Sequence, residues 1–186
     1  PGTVQGIVQA RLDAIPELDR RALQAVSILG QRFSLPAMMA VAGFDDYLPY
    51  NLLAAALIRP IDDGYLFGHA LIREGAYGSL ISRRRRELHA NAAAWFRERD
   101  RLLHASHLDK AGDDGAASAY LVAGIALADA FHHDDALAAA ERGTAIAAAS
   151  EVRFELECLA GDVLRDTGQT DRSVEAFQAA IDSAPN

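Results

Sequence analysis

The sequence predicts a mainly α-helical chain in two parts: a small helical domain carrying a β-hairpin, then a stack of antiparallel helix pairs. Three observations predict it. Alanine, the best helix former and a poor strand former, supplies about a fifth of the 186 residues. Apolar residues recur at helical spacing along most of the chain, with one interruption between residues 57 and 67, where the period shortens. From residue 100 onward the helical pattern repeats itself after 37 residues. Hydrophobic residues at 51% and charged residues at 24% suit a folded, soluble chain rather than a disordered one.

The first part opens with a short amphipathic segment, Thr3 to Ile15, that places Val4, Ile7, Val8 and Leu12 on one stripe. Pro16 then stands at a first helical position, and Leu18, Leu23, Val26 and Leu29 continue at helical spacing until Gly30. Ser34 is a candidate N-cap with Pro36 just inside, opening a helix from Leu35 to Ala42 that stops at Gly43. A fourth helix is expected from about Asp46 to Ile58, with Pro49 in its first turn. Residues 57–61 and 65–67 read as short strands around Asp62-Asp63-Gly64, a turn sequence that favours a tight hairpin. Helices followed by such a hairpin are the layout of a winged-helix module. Helical spacing resumes from His69 to Ile81, and Ser82 can cap a further helix, Arg83 to Arg99, with Leu88, Ala92, Trp95 and Phe96 inward. The expected division is a winged-helix-like domain over residues 1–82, connecting helices over 83–112 and helical repeats over 113–186.

In the second part, Tyr120, Ala123, Gly124, Leu127, Ala136, Ala140 and Gly143 find counterparts 37 residues on. These are Cys158 (one residue past strict register), Ala160, Gly161, Leu164, Ser173, Phe177 and Ala180. Small residues recur where two helices approach closely, with a larger apolar residue one turn away, and Pro185 follows as a stop. The pattern resembles two degenerate tetratricopeptide repeats, whose period is about 34 residues, so the link near residues 149–151 is expected to carry about three extra.

Charge divides the chain unevenly. Residues 1–100 hold 12 Arg and no Lys against 11 acidic residues, whereas residues 101–186 hold 5 Arg and 1 Lys against 15. The acidic half repels phosphate backbones. The one strongly cationic feature is Arg83-Arg84-Arg85-Arg86, read either as a contact for a polyanion or another domain, or as a solvated face paired with Glu87. Between Arg32 and Arg59 there is no Lys or Arg, although that interval holds both helices that could read DNA, so nucleic acid is disfavoured.

Reactive constellations are missing from the pattern. The only lysine, Lys110, is followed by Ala111, so no phosphate-cradling P-loop fits. His104 with His107, and His132 with His133, read as surface or interhelix residues, and no metal is expected. Cys158 has no partner for an internal disulfide, which points to a reducing compartment, and reads as a small buried hydrophobe. Asp45-Asp46, Asp62-Asp63, Asp113-Asp114 and Asp134-Asp135 fall at turns and helix starts, where carboxylates cap. No apolar run is long enough to span a bilayer. The chain starts at Pro1 and reads as a piece of a larger protein.

The run Tyr65-Leu66-Phe67-Gly68-His69-Ala70-Leu71-Ile72-Arg73-Glu74-Gly75-Ala76-Tyr77, followed by Arg84-Arg85-Arg86-Glu87-Leu88-His89, is the sharpest motif. It resembles the segment after the ATPase core in bacterial signal-transduction ATPases with numerous domains, including those attached to adenylate/guanylate cyclase domains or LuxR-type regulators. The residues from Val4 to Asp13, from Leu23 to Gly30 and at Phe33-Ser34-Leu35 fit the same family. The resemblance implies a winged helix folded back on a nucleotide-binding core, then a tetratricopeptide-like sensor arm. It also places His69 where relatives use the histidine of a Met-His-Asp motif to contact bound diphosphate. A histidine there can donate to phosphate oxygens or simply cap its helix.

The expectation from these readings is a non-catalytic, cytoplasmic regulatory segment without a cofactor of its own. It would join an intramolecular ATPase core to a protein or peptide held by the repeats, with a cyclase as the associated output. The alternative is a DNA-binding winged-helix region of a transcriptional regulator.

Overall fold

The computed structural model describes residues 4–148 and 150–184, and the side chains of Val4, Gln5, Ile7 and Val8 lie outside that description along with Ala149, Pro185 and Asn186. It divides into two compact units, residues 1–95 and 96–186. The boundary leaves the arginine-rich helix almost wholly with the first unit.

The first unit opens with α1 (Val4–Asp13) and α2 (Glu17–Ser27). Of the apolar stripe expected on α1, Leu12 is buried; Val4, Ile7 and Val8 lie outside the described side chains. Pro16 is the residue before α2, at φ −53° and ψ 150°, so it sets the entry direction without itself being helical. A two-residue strand, β1 (Arg32–Phe33), precedes α3 (Leu35–Ala42). Ser34 caps α3, its Oγ accepting from the Ala37 N–H at 3.3 Å, and Gly43 closes it at φ 74°.

The helix expected from about Asp46 to Ile58 is much shorter: α4 covers Tyr50–Ala54. Pro49 has no N–H and stands before the helix, and Ala56, at φ 50°, turns the chain out of helical geometry. Ile58 therefore enters a strand, β2 (Ile58–Ile61), which pairs antiparallel with β3 (Gly64–Phe67). The sheet order is β1-β3-β2. Pro60 sits on the edge strand, where its missing N–H leaves no gap in an interior ladder. β1 escaped the sequence reading because two residues display no alternation. Its existence depends on the register Arg32 to Leu66 and Phe33 to Tyr65, set across more than thirty residues of chain.

α5 (Ala70–Gly78) and α6 (Ser82–Phe96) complete this unit. Both end earlier than their apolar spacing suggests, and Ser82 is the first residue of α6. The core is a cluster of Leu23, Val26, Met38, Leu52, Ile58 and Phe67, to which Ile72 and Ala76 add one face of α5. Leu80, Leu88 and Ala92 pack with Ile28 and Val41 in an adjoining cluster.

The elements of the second unit, among its described residues, are all helices: α7 (Arg101–Ala111), α8 (Ala116–Asp129), α9 (His133–Ile146), α10 (Ser150–Asp166) and α11 (Thr170–Ser183). α8 pairs with α9 and α10 with α11, while α9 packs on α10 and α7 on α8. This is the stack of helix pairs that the sequence predicts.

The interval of 37 is built into the backbone. α8 and α10 end at Asp129 and Asp166, and α9 and α11 start at His133 and Thr170. Between them the same left-handed turn recurs, at Phe131 (φ 61°) and Gly168 (φ 75°). Each turn is closed alike: the His132 N–H donates to the Leu127 carbonyl at 2.9 Å and the Gln169 N–H to the Leu164 carbonyl at 2.8 Å. In this register Tyr120 corresponds to Glu157, and Cys158 to Leu121, so the one-residue slip expected at Cys158 disappears. The three extra residues fall close to the expected place but are helical rather than a link: α10 starts at Ser150, three positions ahead of the counterpart of Ala116, so they lengthen its first turn.

Candidate interaction surfaces

His69 is the N-cap of α5. Its Nδ1 accepts from the Leu71 N–H at 3.2 Å, and the residue is exposed. With Nδ1 occupied as acceptor, the neutral ring carries its proton on Nε2, which remains a donor. Capping and donation to a phosphate are therefore compatible in this geometry, one nitrogen for each.

The four arginines do not form one stripe. Arg83 and Arg84 both reach Glu87, at 3.0 and 3.3 Å, and these two guanidinium groups hold the Glu87 carboxyl below its ordinary range. Arg85 turns inward: it donates to the Leu80 carbonyl at 3.0 Å, and its guanidinium stands 4.7 Å from the Tyr77 ring centroid. Arg86 is exposed and has no ion pair among the described residues. Arg83 and Arg84 flank an open cleft of about 440 Å³ with Gln24, Ser79 and Ile81. Neither α3 nor α4 carries a Lys or Arg, and the hairpin tip presents exposed Asp62 and Asp63. That is the wrong charge for a duplex backbone.

The residues singled out by the 37-residue recurrence lie together in the second unit. Ala123, Ala136, Ala140, Ala160, Leu164, Ser173 and Ala180 are buried, as is Tyr120. The small residues mark close approaches. A Cβ on Gly161 would come within 2.6 Å of the Phe177 ring, and one on Gly143 within 2.8 Å of Leu156. On Gly124 it would reach 2.8 Å from Leu159. Ser173 donates to the Gly161 carbonyl at 2.8 Å, a buried bond for which Ala136, its counterpart, has no side-chain donor.

Three features were missed by sequence reasoning. Asp19 at the start of α2 is buried at 3% exposure, accepting from the Tyr47 hydroxyl at 2.6 Å and from Asn51 Nδ2 at 2.8 Å. No spacing rule links positions 19, 47 and 51. Asp109 on α7 receives a two-pronged contact from Arg142 on α9, at 2.7 and 2.9 Å, and the Tyr120 hydroxyl from α8 at 3.4 Å. Burial first, then the Asp109 charge, raises the Tyr120 phenol. The third is a groove of about 430 Å³ along α9, α10 and α11, whose floor includes Leu137, Ala160 and Leu164. The recurring alanines of these helices were the available signal, since small side chains leave room between packed helices.

Cys158 is half-buried, and burial followed by the carboxylates of Asp162, Glu157 and Glu155 pushes its thiol up. A protonated thiol is a poor nucleophile. Among the described residues, no group of three or more His, Cys, Asp and Glu could hold a metal ion. No described helix is long and apolar enough to cross a membrane.

No protein-family model matches the chain, and no curated protein sequence does either. Its fold is similar to that of a solved protein from Pyrococcus horikoshii, described as a signal transduction ATPase with numerous domains (STAND) carrying a tetratricopeptide repeat sensor. The likeness covers 98% of this chain at a TM-score of 0.55 and 10% sequence identity. The chain spans about a third of that protein's length, 34%. At this identity the likeness concerns the fold: a small helical unit with a three-stranded sheet, then tetratricopeptide-like helix pairs.

Proposed function

We propose that this chain is a non-catalytic regulatory segment of a larger signalling ATPase, in which a winged-helix module answers to nucleotide state and the repeat arm holds a protein or peptide. The observation that carries this reading is the fold likeness along 98% of the chain to a STAND protein with a tetratricopeptide repeat sensor. The order of α2, β1, α3, α4 and the β2–β3 hairpin supports the winged-helix part, with β3 between β1 and β2. His69, with Nδ1 committed to the α5 cap and Nε2 left to donate, is the residue we assign to sensing phosphate in the complete protein. In the complete protein the first unit would dock on the nucleotide-binding core, and the output would be an associated adenylate or guanylate cyclase in a bacterial cytoplasm. Coupling between nucleotide and partner requires two states with different contacts, and the first unit's docking on the core is the element that would change.

The test is calorimetric titration of this chain with ATP and ADP. The reading expects no heat of binding, because the nucleotide-holding core lies in another part of the protein. Saturable binding by this chain alone would overturn it. Gel shift at low salt separates the alternative, which requires duplex retardation lost in Arg84→Ala/Arg85→Ala. The cation-free α3 and α4 and the acidic hairpin tip favour no retardation.

A further inference from the structure

The groove along α9, α10 and α11 carries two properties together. Its floor is apolar, formed by Leu137 of α9, Leu164 of α10 and Ala176 of α11. Its rim is acidic, with Glu141, Glu157 and Glu175 on three different helices. Among the described residues Arg172 is the one cation lining it, and it is spent on Glu141 at 3.1 Å. Glu157 accepts from the Ser183 hydroxyl, and Glu175 is exposed with no ion pair among the described residues. The unit around it is acidic as well, with 15 acidic against 6 basic residues over positions 101–186.

From this geometry we propose that the groove is the docking site for a short cationic amphipathic helix, presenting Leu- or Ala-sized anchors to the floor and Lys or Arg to the glutamates. This deepens, and rests on, the reading of the repeat arm as a protein-binding element. Charge complementarity selects the occupant. A neutral apolar segment would leave the unpaired Glu175 carboxylate beside a desolvated surface, and an acidic one would be repelled. Its walls are the two second helices of adjacent pairs with α10 beneath, so a helical partner would lay one apolar stripe along it. Alanine at positions 176 and 179 keeps it open, where larger residues would fill it.

The probe is a fluorescein-labelled peptide of about 14 residues, built from Lys, Arg, Leu and Ala with apolar residues at i and i+4. Its counterpart has every cation replaced by Glu. Anisotropy titration of this chain is expected to show saturable binding of the cationic peptide, weakening as salt rises, and none of the acidic one. Ala179→Trp, at an exposed position, plugs the groove and weakens binding by roughly tenfold. Glu175→Arg weakens it by roughly fivefold or more, whereas Glu151→Arg, the same charge change away from the groove, leaves it within about twofold. Unchanged binding by Ala179→Trp overturns the proposal, as does equal weakening by both charge reversals, which would mark a diffuse surface field. No binding of the cationic peptide also overturns the groove assignment. The wider regulatory reading stands or falls separately, on the nucleotide titration.

Discussion

The Tyr47 hydroxyl donates to the Asp19 carboxylate at 2.6 Å inside the first unit, joining the start of α2 to the loop that leads into α4. Asp19 is almost completely buried, and Asn51 supplies its second donor at 2.8 Å. A buried carboxylate is tolerated only while such donors replace the water it has lost. Tyr47→Phe is therefore expected to destabilise the first unit by about 1–3 kcal/mol, since one lone-pair site on Asp19 is left without its donor. Urea unfolding of the variant measures it; a loss below a few tenths would mean water replaces the phenol without cost.

The same pair gives an alkaline limb to stability. Burial, then the hydrogen bond and charge of Asp19, raise the Tyr47 phenol far above its ordinary value. The folded unit keeps this proton where the unfolded chain releases it near pH 10. The stabilisation is thus complete below about pH 10 and is lost as pH rises from there towards the folded value. In Tyr47→Phe that decline flattens, as thermal midpoints between pH 8 and about 11.5 would reveal.

Phe131 occupies the left-handed turn that Gly168 occupies one repeat later, and it is 81% exposed. A side chain in that conformation costs about 1–2 kcal/mol, and the Phe131 ring meets only His133 edge-on at 6.0 Å among the ring contacts. Phe131→Gly is expected to raise stability by about 1 kcal/mol, and Gly168→Ala to lower it by a similar amount. Denaturation midpoints of the two variants should move in opposite directions.

Two helical glycines separate packing from propensity. At Gly161 a methyl group would meet the Phe177 ring at 2.6 Å, so Gly161→Ala loses about 1–3 kcal/mol despite alanine's helix preference. At Gly78, exposed in the last turn of α5 with nothing within 4 Å, the same change gains about 0.5 kcal/mol. If both variants gain, the close approach of α10 and α11 relaxes freely.

His69→Ala removes the α5 cap and should cost about 0.5–1 kcal/mol, while His69→Asn keeps a capping oxygen and removes the imidazole. Urea unfolding of the two variants is expected to separate them, with the Asn variant keeping the stability that the Ala variant loses; under the proposed sensing role the Asn variant would still lose the phosphate contact.

Local chemistry carried much of the architecture. Ser34 and Gly43 bracket α3 at the positions their cap preferences dictate, and Asp62-Asp63 folds back as the two-residue link of a hairpin, with Gly64 already in β3 where a Cβ would meet the Phe33 carbonyl. The 37-residue recurrence of small residues fixed which helices pair, because only small side chains let two backbones approach as α10 and α11 do at Gly161. Tertiary contacts decided the rest. α4 is short and β1 exists because pairing with β3 outweighs the helical spacing of residues 55–58 and gives Arg32 and Phe33 a partner strand. Arg85 leaves the arginine run to cover Tyr77, and Asp19 finds Tyr47 and Asn51 from far along the chain. The sequence alone determined where helices start, turn and repeat, since those depend on residues within a few positions of one another. Which side chains meet, and that three glutamates from three helices rim one groove, depends on distances through space, and only the folded chain sets those.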